Sequence, residues 1–102
     1  NAVSINPGGY QNWVTLGIIY SALVPPPLSV AGVYNNAKIA YEEAVKRNPL
    51  NPETFILLAQ LEVNNNSLNE AVKFAERASE LKPDSQEIKS ILEKLRAGQN
   101  PF

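Results

Sequence analysis

Apolar and small residues recur along this chain at helical spacing. Trp13, Leu16 and Gly17 stand at i, i+3 and i+4, on one helical face, and Phe55, Leu58 and Ala59 repeat the arrangement. A second kind of stripe follows each: Ala37, Tyr41 and Ala44, then Ala71, Ala75 and Ala78, spaced i, i+4 and i+7. A last stripe, Ile88, Ile91, Leu92 and Leu95, falls within Ser85–Ala97. The pattern predicts two helix pairs and one further helix. Small residues at Gly17, Ala37, Ala59 and Ala71 predict close backbone approach within each pair, with Gly17 facing the second helix near Ala37. Pro49 and Pro83 should end the second helices, because Pro lacks the amide hydrogen a continuing helix needs. Asn64, Asn65 and Asn66 predict a tight turn, since Asn tolerates left-handed backbone. Gly98 predicts a helix terminator, and Pro101 prevents resumption.

The stripes share a period. "AVKRNP" at Ala44 to Pro49 and "ASELKP" at Ala78 to Pro83 lie 34 residues apart. "AVSINP" at Ala2 to Pro7 lies 42 residues before the first of these, which is 34 plus an insertion of 8. Self-similarity at a fixed period signals a repeat architecture. In this register Ala37, Tyr41 and Ala44 match Ala71, Ala75 and Ala78, and Trp13, Leu16 and Gly17 match Phe55, Leu58 and Ala59.

These residues resemble the tetratricopeptide repeat, whose pattern is 34 residues with W-x2-L-G-x2-Y, then A-x3-F, then P. "WVTLGIIY", Trp13 to Tyr20, fits the first part at every specified position, and "AKIAY", Ala44 and Pro49 fit the rest with Tyr41 in place of Phe. The second repeat departs at Glu62 and Ala75, where the family prefers Tyr and a large ring. The resemblance implies an all-α, tetratricopeptide-type α-solenoid of antiparallel helix pairs with a C-terminal capping helix. Its parts would be the tail of an earlier repeat (1–9), a repeat with a Pro-rich insertion near 25–33 (10–49), a second repeat (50–83) and the cap (84–98). The cap lacks the aromatic and the small residue, Lys89 and Glu93 standing there, as a polar outer face requires.

In this family the first helix of each repeat lines a concave groove that holds peptides. Carried over by register, the groove residues are Gln11, Val14, Thr15, Ile18, Ser21 and Ala22, then Glu53, Ile56, Leu57, Gln60, Val63 and Asn64, with Glu87, Ser90, Ile91 and Lys94 from the cap. Chaperone-binding members clamp a carboxylate there with Lys, Asn and Arg, but Val14, Ile18, Ile56 and Gln60 occupy those positions here. The groove therefore suits an apolar protein segment rather than an acidic tail. Packing against upstream repeats is the alternative use of the same surface, and self-association through an unpaired repeat face is a third.

The insertion "LVPPPLSVAGV", Leu23 to Val33, is uncharged. Pro25, Pro26 and Pro27 predict a stiff, extended, non-helical excursion. Leu28, Val30 and Val33 then make it either a flap over the first repeat or a docking element, because uncharged apolar loops are unusual on a protein surface. Trp13 to Pro49 also resembles the C-terminal repeat segments of bacterial O-antigen ligase-like membrane proteins. That implies an alternative function, a soluble accessory module of a membrane-bound glycan-handling enzyme.

Composition narrows the chemistry. The chain has 102 residues, a net charge of -1, and no Cys, His or Met. No thiol, imidazole or common zinc ligand is present, and no general basic field attracts nucleic acid. No cofactor, no metal and no catalysis are expected. The absence of Met and the start at Asn1 read as a piece of a longer protein. All charged residues lie at or after Lys38. The apolar run from Trp13 reaches only 12 residues before Pro25, short of the roughly 18–20 a membrane span needs. The carboxylate pairs Glu42–Glu43 and Glu76–Glu80 read as solvated helix faces, with Glu42–Lys46 and Glu43–Arg47 at ion-pair spacing. Trp13, Tyr20, Tyr41 and Phe55 read as core by their register. "NPGGYQN" reads as a turn, not a phosphate loop, because no Lys follows its glycines.

Overall fold

The computed structural model describes residues 10–24 and 32–102, with Tyr10 and Gln11 described by their backbone alone. Five helices are seen among these residues: α1 (Tyr10–Ser21), α2 (Val33–Arg47), α3 (Pro52–Asn64), α4 (Leu68–Leu81) and α5 (Gln86–Arg96). No strand occurs among the described residues. The architecture is the all-α helical repeat that the periodicity predicts. The chain divides into two compact units, residues 1–49 and 50–102.

In the first unit α1 pairs with α2. The small-residue stripe does what its spacing requires: Ala37, Ala40, Tyr41 and Ala44 are buried. Gly17 is buried too, and it faces α2 within a turn of Ala37, as its register predicts. It faces the Tyr41 ring, one turn further along α2, and a β-carbon placed there would lie 2.9 Å from Tyr41 Cζ and closer still to Cδ1 and Cε1. α2 starts after Gly32, whose φ of 83° is the left-handed conformation that glycine adopts without steric cost.

The second unit holds α3, α4 and α5, with α4 against both neighbours. Its core joins Ala59 of α3, Ala71 and Ala75 of α4, and Leu92 and Leu95 of α5. Asn51 caps α3 by accepting the Glu53 amide at 3.0 Å, and Pro52 takes the first turn, where no amide hydrogen is needed. Ser85 caps α5 by accepting the Ile88 amide at 3.2 Å.

Helix ends repeat with the sequence. The Asn48 amide donates to the Ala44 carbonyl at 2.9 Å, and 34 residues later the Lys82 amide donates to Ala78 at 3.0 Å. Asn48 and Lys82 leave the helical region in nearly the same way, with φ/ψ of -148°/76° and -140°/72°. Each precedes a Pro, whose ring disfavours the helical region for the residue before it. Of the three asparagines in the inter-helix turn, Asn66 alone is left-handed, at φ 59°. Its amide donates to Val63 O and that of Ser67 to Glu62 O, at 3.0 and 2.8 Å, closing α3 with two reversed bonds. Gly98, at φ 79°, closes α5 the same way, with Gly98 N to Leu95 O and Gln99 N to Lys94 O at 3.0 and 2.8 Å.

Two expectations change. Lys46 pairs with Glu43 at 3.0 Å rather than with Glu42, and Arg47 pairs with the same carboxylate at 2.7 Å. Of the four rings assigned to the core, Tyr41 and Phe55 are buried, while Trp13 and Tyr20 are only half-buried. The Arg47 guanidinium lies 5.2 Å from the centre of the Trp13 ring, within cation–π range. Of the insertion, Pro25, Pro26, Pro27, Leu28 and Val30 lie outside the described residues, and Val33 is buried in the first turn of α2.

Candidate functional site

Two N-caps in the same repeat register, Asn51 and Ser85, border one open cavity of about 530 Å³ in the second unit. Its apolar wall is Ile56 and Leu57 of α3 with Ile88 of α5. Glu53 and Glu87, again 34 residues apart, stand in the first turns of α3 and α5 and line it as well. Both are exposed, and neither belongs to an ion pair among the described residues. Acidic residues in a first turn are favoured by the positive end of the helix dipole. Lys82, at the C-terminal end of α4, is the cation of the lining. The Ser85 hydroxyl is occupied as an acceptor for the Ile88 amide. This arrangement can receive an aliphatic side chain against three branched residues and offer carboxylates to donors at the rim.

The structure brings together Glu53, Ile56, Leu57 and Glu87 of the expected groove. Gln60, Ser90 and Lys94 are exposed, and Val63, Asn64 and Ile91 are half-buried, none of them in this cavity. Val63 lines a smaller hollow of about 220 Å³ with Asn66, Leu68, Gly98, Gln99 and Asn100. In the first unit, Gln11 lies in the opening turn of α1, Thr15, Ile18 and Ala22 are exposed, and Val14 is half-buried. Ser21 is turned inward: its hydroxyl donates to the Ile18 carbonyl at 3.0 Å and stands 3.4 Å from that of Tyr41. Asn51, Pro52, Lys82 and Ser85 line the cavity without having been assigned to the groove by register, and Ile88, read as part of the last apolar stripe, lines it as well. The caps and prolines between helices were the available signal, since they place inter-helix turns beside the first helical residues of each repeat.

Electrostatics elsewhere are structural. Hydrogen bonds from Arg47 and then Lys46 hold the Glu43 carboxyl below the usual glutamate range. Glu76 pairs with Arg96 across α4 and α5 at 2.9 Å, while Glu80 pairs with Arg77 at 3.1 Å, so these neighbouring carboxylates are separately compensated. Burial pushes the Tyr41 phenol above its ordinary pKa of 10.0, partly offset by the hydrogen bond with Ser21. Among the described residues no group of His, Cys, Asp and Glu could hold a metal ion, and no helix is long and apolar enough to cross a membrane.

A family model described as a tetratricopeptide repeat matches residues 31–95. No curated protein and no solved structure matches the chain. The match covers α2 through nearly all of α5, and nothing in it bears on the resemblance to O-antigen ligase-like proteins.

Proposed function

Because the chain belongs to the tetratricopeptide repeat family, we propose that it is a non-catalytic scaffold whose second unit holds an apolar segment of a protein partner. Repeats of this family generally mediate protein–protein interaction, and they are typically interaction modules rather than enzymes. The observation that carries the finer reading is the cavity between the first turns of α3 and α5, with Ile56, Leu57 and Ile88 as its wall and Glu53 and Glu87 at its rim. Branched side chains that line a concavity favour apolar surface, and each buried methylene of a partner adds about 0.8 kcal/mol. The carboxylates oppose an acidic tail by like-charge repulsion and favour a segment in which Lys or Arg flanks the apolar anchor.

A displayed peptide library panned against the whole chain tests this reading. Enriched peptides should share an aliphatic or aromatic anchor beside a basic residue. Ile56→Asp should weaken the best of them by about tenfold or more, as loss of a central anchor contact does. Lys73→Ala, on the exposed face of α4, should leave binding unchanged. Failure to enrich any peptide, or binding indifferent to Ile56→Asp, overturns it.

A further inference from the structure

The cavity between α3 and α5 carries three charges, Glu53, Glu87 and Lys82. All three are exposed, and none belongs to an ion pair among the described residues. The sequence leaves them so: none has an opposite charge three or four residues away, the spacing at which side chains on one helix meet. On α4, by contrast, Glu70 pairs with Lys73 at 3.2 Å and Glu80 with Arg77 at 3.1 Å, each across three residues. Lys82 lines the same cavity as the two carboxylates yet pairs with neither. The two signs are thus held apart around an apolar wall of Ile56, Leu57 and Ile88.

Separated charges select a partner by its pattern. Across an interface they fix register and suppress wrong partners more than they add affinity. A wholly basic segment would set a cation against Lys82, and a wholly acidic one would set anions against Glu53 and Glu87. Like-charge contact rejects both. A segment of mixed charge satisfies all three residues. We infer that the partner segment carries an Asp or Glu for Lys82 as well as a Lys or Arg for Glu53 and Glu87, about a shared apolar anchor, so that Lys82 determines specificity at this cavity. The inference rests on the reading of the cavity as the partner site and adds to it the second charge and the order of the two.

Synthetic probes titrated with the whole chain, and read by fluorescence anisotropy, test it. Each is a short labelled peptide with neutral ends and a central Leu, flanked by Lys and Glu, by Glu and Lys, by Lys on both sides or by Glu on both sides. The better mixed probe should bind about two- to fivefold tighter than the Lys–Lys probe, the range that one exposed ion pair supplies. The Glu–Glu probe should bind weakest. Lys82→Glu should turn the preference to the Lys–Lys probe. Lys89→Glu, the same change of net charge at an exposed α5 residue outside the cavity, should leave the preference as it was. Salt at about 1 M, where the Debye length falls to about 3 Å, should erase the preference while binding through Leu persists. Probes that bind through Leu and are lost with Ile56→Asp, yet ignore charge, overturn this inference alone. A Lys–Lys preference in the wild-type chain, or a preference unmoved by Lys82→Glu, does the same. Absence of binding by every probe overturns the reading of the cavity and this inference with it.

Discussion

The ring of Tyr41 occupies the space that a side chain on Gly17 would need. Gly17 is buried on α1, and Tyr41 Cζ would come within 2.9 Å of a β-carbon there. The absence of a side chain at Gly17 therefore leaves room for the ring of Tyr41, which is 1% exposed. Close packing of this kind leaves no room for added volume.

Gly17→Leu should destabilise the chain by about 1–3 kcal/mol or more through overpacking. The gain in helix propensity over glycine, up to roughly 1 kcal/mol, does not offset it. A double-mutant cycle with Tyr41→Leu, read by thermal melts, should show strong coupling, because the smaller side chain vacates the contested space. Additive effects at the two positions would contradict the contact.

Alkali should destabilise the first unit through Tyr41. Burial raises its pKa above 10.0, so the folded state favours the neutral phenol. A raised folded pKa contributes stability that is fully present below the unfolded value near 10 and is lost as pH rises through the folded value. Melting temperatures taken from about pH 9 upward should fall more steeply for the wild-type chain than for Tyr41→Phe, which removes the titration while keeping the ring. Parallel pH profiles for the two proteins would contradict this account.

The two helix stops differ in how they tolerate substitution. Asn66 and Gly98 both have left-handed backbones, a conformation that costs ordinary residues roughly 1–2 kcal/mol. Asn66→Gly should hold or raise the denaturation midpoint, since glycine enters this region freely, whereas Asn66→Val and Gly98→Val should each lower it by about that cost. Denaturant titration of the three variants measures the differences.

Thr54 offers a gain. Its hydroxyl is buried and has no hydrogen-bond partner, a state that costs about 1–3 kcal/mol. Thr54→Val replaces the hydroxyl with a methyl of similar shape and should stabilise the chain by about 1 kcal/mol or more. An unchanged or lowered melting temperature would mean that the hydroxyl has a partner in solution.

Part of the lining of the α3–α5 cavity was legible in the sequence. Register alone selected Glu53, Ile56, Leu57 and Glu87, and all four line one cavity. It also selected Ser21, whose hydroxyl turns inward toward the Ile18 carbonyl and Tyr41. A helical wheel gives the direction of a Cα–Cβ bond but not the rotamer of a short polar side chain beside a backbone acceptor. Asn51 and Ser85 were missed because a cap is a local backbone role, and only the convergence of two such caps turned them into the rim of one cavity.

For the described residues, the sequence by itself determined the five helices, where they stop and the period that relates them. These follow from local physics: apolar spacing at 3.6 residues per turn, the missing amide of Pro49 and Pro83, and the free backbone of Gly98. Tertiary structure alone decided which neighbour each side chain meets. Gly17 met the ring of Tyr41, and Glu43 took both Lys46 and Arg47. Such choices depend on rotamers and on what packs opposite. A one-dimensional pattern specifies the face that a residue occupies, while its partner is set by the three-dimensional competition for that space.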